Sequence, residues 1–231
     1  MILFNNVTKI YPSCSDSEQI VALEDVSFKI AEGEFVSIAG KSGAGKTTLL
    51  KLLLAEERPT KGEIFFEDQN ISKIKSRHLH HLRRKIGAIF QDYKLISSKK
   101  TFENVAYALE IIGASDADIA RDVPQVLALV GLSSRANNLP CELSGGEKQR
   151  AAIARALIHR PDIILADEPT GNLDPYHASD IIRLLTEINE RGTTVILATH
   201  DKQTINSLGK RVITLEQGRI IKDEKIGKFI L

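Results

Sequence analysis

Eight residues, Gly40-Lys41-Ser42-Gly43-Ala44-Gly45-Lys46-Thr47, constrain this chain more than any other stretch. They match G-x-x-x-x-G-K-[ST]. Before them runs the apolar segment Glu34 to Ala39, and after them Leu49, Leu50, Leu53 and Leu54 recur at helical spacing. Strand, glycine turn and helix in that order make a phosphate cradle. Glycines without Cβ let the turn fold until its N–H groups converge on phosphate oxygens, and the positive end of the helix adds to the attraction. Lys46 reaches the β/γ-phosphates and the Thr47 hydroxyl serves Mg²⁺. The expected nucleotide-binding segment is therefore Gly40, Lys41, Ser42, Gly43, Ala44, Gly45, Lys46 and Thr47, with Thr48 beside it. A match of this kind arises by chance in a chain of this length on the order of 1% of the time.

At 231 residues the chain is one large domain or two small ones. Its 42% hydrophobic and 26% charged residues exclude a disordered or collagen-like chain, and a net charge of +1 excludes a surface built throughout for nucleic acid. No apolar run approaches a membrane span, and Met1 to Lys9 lacks the features of a signal peptide, so the chain is expected in the cytoplasm. Cys14 and Cys141 have no metal-ligand spacing and are read as reduced thiols.

The N-terminal third reads as strands over Ile2 to Lys9, Ala22 to Ile30 and Glu34 to Ala39. The first helix should end near Arg58-Pro59, because proline disfavours helix just before itself. Helical patterns follow over Phe102 to Ile112 and Asp116 to Val130, with Gly113 as stop and Ser115 as cap. Strands return at Ile163 to Ala166 and Thr194 to Thr199 around a helix from His177 to Arg191, an alternation that implies a parallel sheet. Arg211 to Leu215 and Arg219 to Asp223 read as a hairpin.

Two further motifs carry chemistry. Ile163 to Ala166 ends in Asp167-Glu168, carboxylates at the carboxyl edge of a sheet, where α/β proteins bind ligands. Strand alternation should send the two side chains in different directions, Asp167 to the Mg²⁺ shell and Glu168 to the attacking water. In Leu143-Ser144-Gly145-Gly146-Glu147, Ser144 and Glu147 form a capping box. Gly145 and Gly146 exceed what a cap needs and leave bare amides at a helix start, a second anion site suited to the nucleotide of another copy.

These motifs, with Gly171-Asn172-Leu173-Asp174 and Ala198-Thr199-His200-Asp201, make the chain similar over nearly its whole length to the ATP-binding subunits of ABC transporters. The resemblance implies an α/β fold of the P-loop NTPase class: a RecA-like core with a mostly parallel sheet, an antiparallel N-terminal β part and an inserted helical subdomain. Residues 1–231 would be one domain, 1–91 and 161–231 forming the core and 92–160 the helical subdomain. It implies ATP and Mg²⁺ as ligands and ATP hydrolysis as the activity. It also implies Tyr11 stacking on adenine, Gln91 sensing γ-phosphate and Mg²⁺, Ser144 to Glu147 completing a partner's site, Asp174 communicating across a homodimer and His200 contacting γ-phosphate. The catalytic set would be Glu168, His200 and Lys46, and the metal set Thr47, Gln91 and Asp167.

Leu82 to Tyr93, Thr101 to Ala106 and Ala166 to Pro175 resemble the cell-division branch, whose members pair with an integral membrane protein. Lipoprotein-releasing and macrolide-exporting ATPases share the Asp167 to Asp174 run, and Pro12 to Val21, a longer loop after Tyr11, is more like theirs. Lys148 stands where the family has glutamine, and Ser97 to Lys100 lacks its proline. A soluble ABC protein of repair or translation would need a long insertion or a second cassette, and a module without turnover is opposed by Glu168 and His200. The basic run Lys73 to Lys85 reads as a solvated helix face or a contact with anionic lipid, and Asp92 to Lys100 as the surface that meets the membrane subunit. The chain would act at the cytoplasmic face of the cell membrane.

Overall fold

The structure, a computed structural model, describes residues 1–12 and 19–227. In chain order the elements are β1 (Ile2–Pro12), β2 (Gln19–Ile30), β3 (Phe35–Ala39), α1 (Lys46–Leu53), β4 (Lys61–Phe66), β5 (Gln69–Asn70), α2 (Leu79–Arg84) and β6 (Ile86–Ile89). There follow α3 (Thr101–Ile112), α4 (Asp116–Leu129), α5 (Gly145–Leu157), β7 (Ile163–Asp167), α6 (Pro175–Glu190), β8 (Thr194–Thr199), α7 (Lys202–Leu208), β9 (Arg211–Glu216) and β10 (Arg219–Glu224). They divide into two compact units, Met1–Arg83 with Thr194–Leu231, and Arg84–Thr193.

In the first unit β1 lies between β2 and β4, antiparallel to both. Its register slips between Phe4 and Val7. There Asn6 and Asp25 adopt left-handed backbone and Asn6 Nδ2 donates to Asp25 Oδ1 at 2.7 Å, a side-chain clasp that closes the bulge. The other strands run β10-β9-β3-β8. β3 is parallel to β8 and β9, and β10 returns antiparallel as the expected hairpin. Every residue of β3 and β8 is buried, the mark of strands covered on both faces. Helix α1 follows β3 and buries Leu49, Leu50, Leu52 and Leu53.

In the second unit β6 and β7 form a parallel pair, joined in the chain by α3, α4 and α5. Gly113 closes α3 in left-handed backbone and Ser115 Oγ accepts from Asp118 N at 3.2 Å to open α4, as their residue types predict. A Cβ on Gly87 in β6 would stand 2.4 Å from the Ala156 carbonyl, so α5 packs on β6 through this glycine.

Three local expectations change. Helix α1 stops at Leu53, not near Arg58: Ala55 turns left-handed, its N–H returns to Leu52 O and that of Glu56 to Lys51 O at 2.9 Å, which closes the helix without glycine or proline. The expected loop from Pro12 to Val21 is shorter, since Pro12 ends β1 and Gln19 to Val21 belong to β2. Its remainder, 13–18, lies outside the described residues, as does the reading of Cys14; Cys141 is an exposed free thiol.

Candidate active site

The phosphate loop leaves β3 at Gly40 and enters α1 at Lys46. Gly43 and Gly45 have φ of 81° and 104°, backbone that glycine adopts without the Cβ penalty. Gly45 carries a second constraint, because a Cβ there would come within 2.5 Å of the Ala22 carbonyl on β2. The turn of the C-terminal hairpin braces the loop from behind: Gly218 N donates to Ala44 O at 3.2 Å and Glu24 N to Gly218 O at 2.8 Å. Lys46 is 6% exposed, and its Nζ donates to Gly40 O at 2.8 Å and to Lys41 O at 3.3 Å. The ammonium is thus held across the mouth of the loop. Lys41, Ser42, Gly43 and Thr47 are exposed, Thr48 is half-buried and Ala44 is buried.

Tyr11 pairs with Ile20 of β2, two residues before the strand position that abuts Gly45. The Lys9 ammonium sits 4.7 Å from the centroid of its ring, a cation–π contact, while also pairing with Glu57 at 2.7 Å. His200 is exposed just past β8. Because Ala39 pairs with Thr199, His200 and Gly40 leave neighbouring parallel strands at one carboxyl edge.

The second unit repeats this geometry. Ile89 of β6 pairs with Ala166 of β7, so Gln91 and Glu168 each lie two residues beyond a matched pair. Asp167 ends the strand, half-buried. Glu168 has φ 47°, so its side chain diverges from that of Asp167 through a left-handed turn of the backbone, where simple strand alternation had been the expectation. Gly171 N donates back to Glu168 O at 3.1 Å, and Asn172 Nδ2 donates to Gln91 O at 3.0 Å. A Cβ on Gly171 would stand 2.8 Å from Gln91 Nε2. Gln91, Glu168 and the 171–172 turn are therefore one assembly.

Asp174 caps α6, its Oδ1 accepting from Tyr176 N at 3.0 Å and His177 N at 3.1 Å, and its Oδ2 pairs with His177 Nδ1. That pairing holds the Asp174 carboxyl below the usual carboxylate range. Ser144 and Glu147 form the expected capping box, Ser144 Oγ accepting from Glu147 N and Glu147 Oε2 from Ser144 N at 2.8 Å. The Ser144 amide, then the Arg135 guanidinium, lower the Glu147 pKa to about 2. A Cβ on Gly146 would meet His177 Cδ2 at 2.7 Å, and one on Gly145 would meet Leu173 Cδ2 at 3.2 Å and the Tyr93 hydroxyl at 3.3 Å. The two glycines therefore have a packing reason beside the one read from sequence: they seat the Leu173 to His177 turn against the start of α5.

Sequence reasoning passed over three residues that hold this assembly. Tyr93 and Lys94, just past Gln91, are both left-handed, and Arg155 of α5 donates to their carbonyls at 2.9 and 2.6 Å. Burial pushes the Arg155 pKa down. Asn104, fully buried on α3, clasps the loop further on, accepting from Ile96 N at 2.7 Å and donating to Lys99 O at 2.8 Å. His177, absent from the motif set, links Asp174 to Gly146. An arginine or asparagine aimed at main-chain atoms leaves no side-chain pattern to read.

A phosphate loop on a parallel sheet, an Asp-Glu strand end and a capped glycine pair define an ATP-binding cassette. The model of the ABC transporter family matches residues 23–171, and the chain belongs to this family. It is 49% identical over 229 residues to the cell division ATP-binding protein FtsE of Mycobacterium tuberculosis, covering 99% of this chain and 98% of that protein. To FtsE of Bacillus subtilis it is 46% identical over 229 residues, with the same coverage, and to FtsE of Escherichia coli 46% over 220 residues, 95% of this chain and 97% of that one. A solved structure of the ATP-binding cassette MJ0796, dimeric in a post-hydrolysis state with ADP and Pi, superposes with a TM-score of 0.89 at 39% identity, covering 99% of this chain and all of that one.

Proposed function

We propose that the chain is the ATP-binding and ATP-hydrolysing subunit of a cell-division ABC complex, working as a homodimer on an FtsX-like integral membrane protein at the cytoplasmic face of the membrane. The observation that carries the ATPase reading is the loop itself, with Lys46 fixed by Gly40 and Lys41 carbonyls at the entrance to α1. The cell-division reading rests on near-full-length likeness to FtsE from three bacteria.

The residues divide the work. Gly40 to Thr48 cradle the phosphates, Tyr11 stacks on adenine, and Gln91 and His200 meet the γ-phosphate. Glu168 orients the attacking water and takes its proton. Ser144 to Glu147 serve the nucleotide of the second copy, with Asp174 reporting across the interface. Thr47, Gln91 and Asp167 offer only oxygen donors, and among the described residues no group of three or more His, Cys, Asp or Glu could hold an ion alone. Such a set suits Mg²⁺ shared with nucleotide phosphates, which it would neutralise as charge develops in hydrolysis. Residues 92–100, fixed by Arg155 and Asn104, present the surface for the membrane subunit.

Replacing Glu168 with Gln is expected to leave ATP binding intact, slow phosphate release roughly 10²–10⁴-fold and accumulate an ATP-dependent dimer on size-exclusion chromatography. Phosphate release at the wild-type rate would overturn the role given to Glu168. Identification of the membrane protein that co-purifies with this chain tests the partner.

A further inference from the structure

Residues 69–91 contain no Asp or Glu but six Lys and Arg and three His. With 30 acids in 231 residues, even scatter would place about three of them there. In the first unit this stretch is pinned from below by Ile71, Ile74 and Leu82, all buried, while Lys75, Arg77, His78, His80, His81 and Arg83 are exposed.

The bonds that pin it end on neutral acceptors. Arg83 Nε donates to Leu54 O at 3.2 Å and Arg58 to Ile74 O at 3.1 Å, bonds to neutral carbonyls that fix the backbone and quench no cation. Arg77 Nε donates to the His78 ring at 3.0 Å, again a neutral acceptor. The rings of His78, His80 and His81 lie against one another, 6.3 Å between the first and third and 3.9 Å between the second and third. Lys73, at the margin of the patch, pairs with Glu63 at 2.6 Å.

We propose that this face, Lys75, Arg77, His78, His80 and Arg83, docks on an anionic lipid bilayer, so that the chain touches the membrane itself as well as a membrane protein. A headgroup layer is attracted by clustered Lys and Arg without demanding a matched shape. Nucleic acid fits less well. No Phe, Tyr or Trp occurs from 67 to 89 to stack on exposed bases, and α2, six residues long, is short for a groove-reading helix. The inference stands on these residues alone and does not depend on the identity of the partner.

The test uses the purified chain without any membrane protein. Co-sedimentation is measured with vesicles of phosphatidylcholine alone and with vesicles in which about a third of the lipid is phosphatidylglycerol. The chain should pellet with the anionic vesicles only, and less as salt is raised. Lys75→Glu with Arg77→Glu and His80→Glu should cut the partition at least about tenfold while nucleotide affinity, phosphate release and melting temperature stay unchanged. The milder Lys75→Gln with Arg77→Gln covers the case in which the triple variant misfolds, and should give a smaller loss. Failure of the wild type to pellet, equal pelleting on both vesicles, or undiminished binding by the variants would each overturn the proposal. So would binding to an oligonucleotide that anionic vesicles cannot displace, which would assign the face to nucleic acid. Phosphate release is read separately, so this outcome leaves the ATPase reading untouched.

Discussion

Lys46 donates to two main-chain oxygens of its own loop. Removing it therefore takes away a cation at the phosphate site and leaves the Gly40 and Lys41 carbonyls facing the same space. Lys46→Ala should lower ATP affinity at least about tenfold in calorimetry, since a charge-assisted bond is worth roughly 1.5–3 kcal/mol. Its helix should persist, because Leu49, Leu50, Leu52 and Leu53 carry the packing. Glu168 is a contrasting case. Its left-handed backbone costs of order 1–3 kcal/mol, stored at the residue proposed to activate the water. Lys46 was legible from sequence because the eight residues of its motif are contiguous. The conformation of Glu168 was not, because nothing in Asp167-Glu168-Pro169 names a left-handed residue.

Helix α5 shows how one element joins several parts of the site. Its first turn carries the capping box and its last turn carries Arg155, which fixes the loop after Gln91. Glu147 has a folded-state pKa of about 2 against an ordinary 4.5, so its contribution is full above pH 4.5 and is lost as pH falls toward 2. Denaturant titrations of the wild type and Glu147→Gln should accordingly differ most above pH 4.5 and converge toward pH 2. Arg155→Gln should lower kcat more than ATP affinity, with Arg155→Lys recovering part of the rate. A variant that lost only stability would make Arg155 a packing residue. Two helix ends show where sequence stops informing. The same closing turn ends α3 at Gly113 and α1 at Ala55, and only the glycine announces it. Similarly, Gly62 in β4 and Gly87 in β6 break the strand pattern, yet each sits where other backbone comes within 2.4 Å of its missing Cβ, facts held by distant residues.

Across the whole molecule, each unit ends parallel strands at an edge bearing site residues, Gly40 and His200 in one, Gln91 and Glu168 in the other. The edge placement of Gly40 and Glu168 followed from strand and loop spacing, as did the hairpin; β6 was not read from the sequence, and Gln91 and His200 entered only through the family resemblance. The bracing of the phosphate loop did not follow from spacing, since it joins Ala22, Ala44 and Gly218 through main-chain atoms from three parts of the chain. This bracing sets an order of events during synthesis. The loop leaves the ribosome complete in its eight residues, but the turn at Gly218 follows roughly 170 residues later, as domains grow from the N-terminus. A chain ended before Arg211 holds every residue of the nucleotide motif and yet should bind a fluorescent ATP analogue far more weakly than the full chain. Competence to bind ATP is thus expected to wait on a hairpin made long after the loop itself.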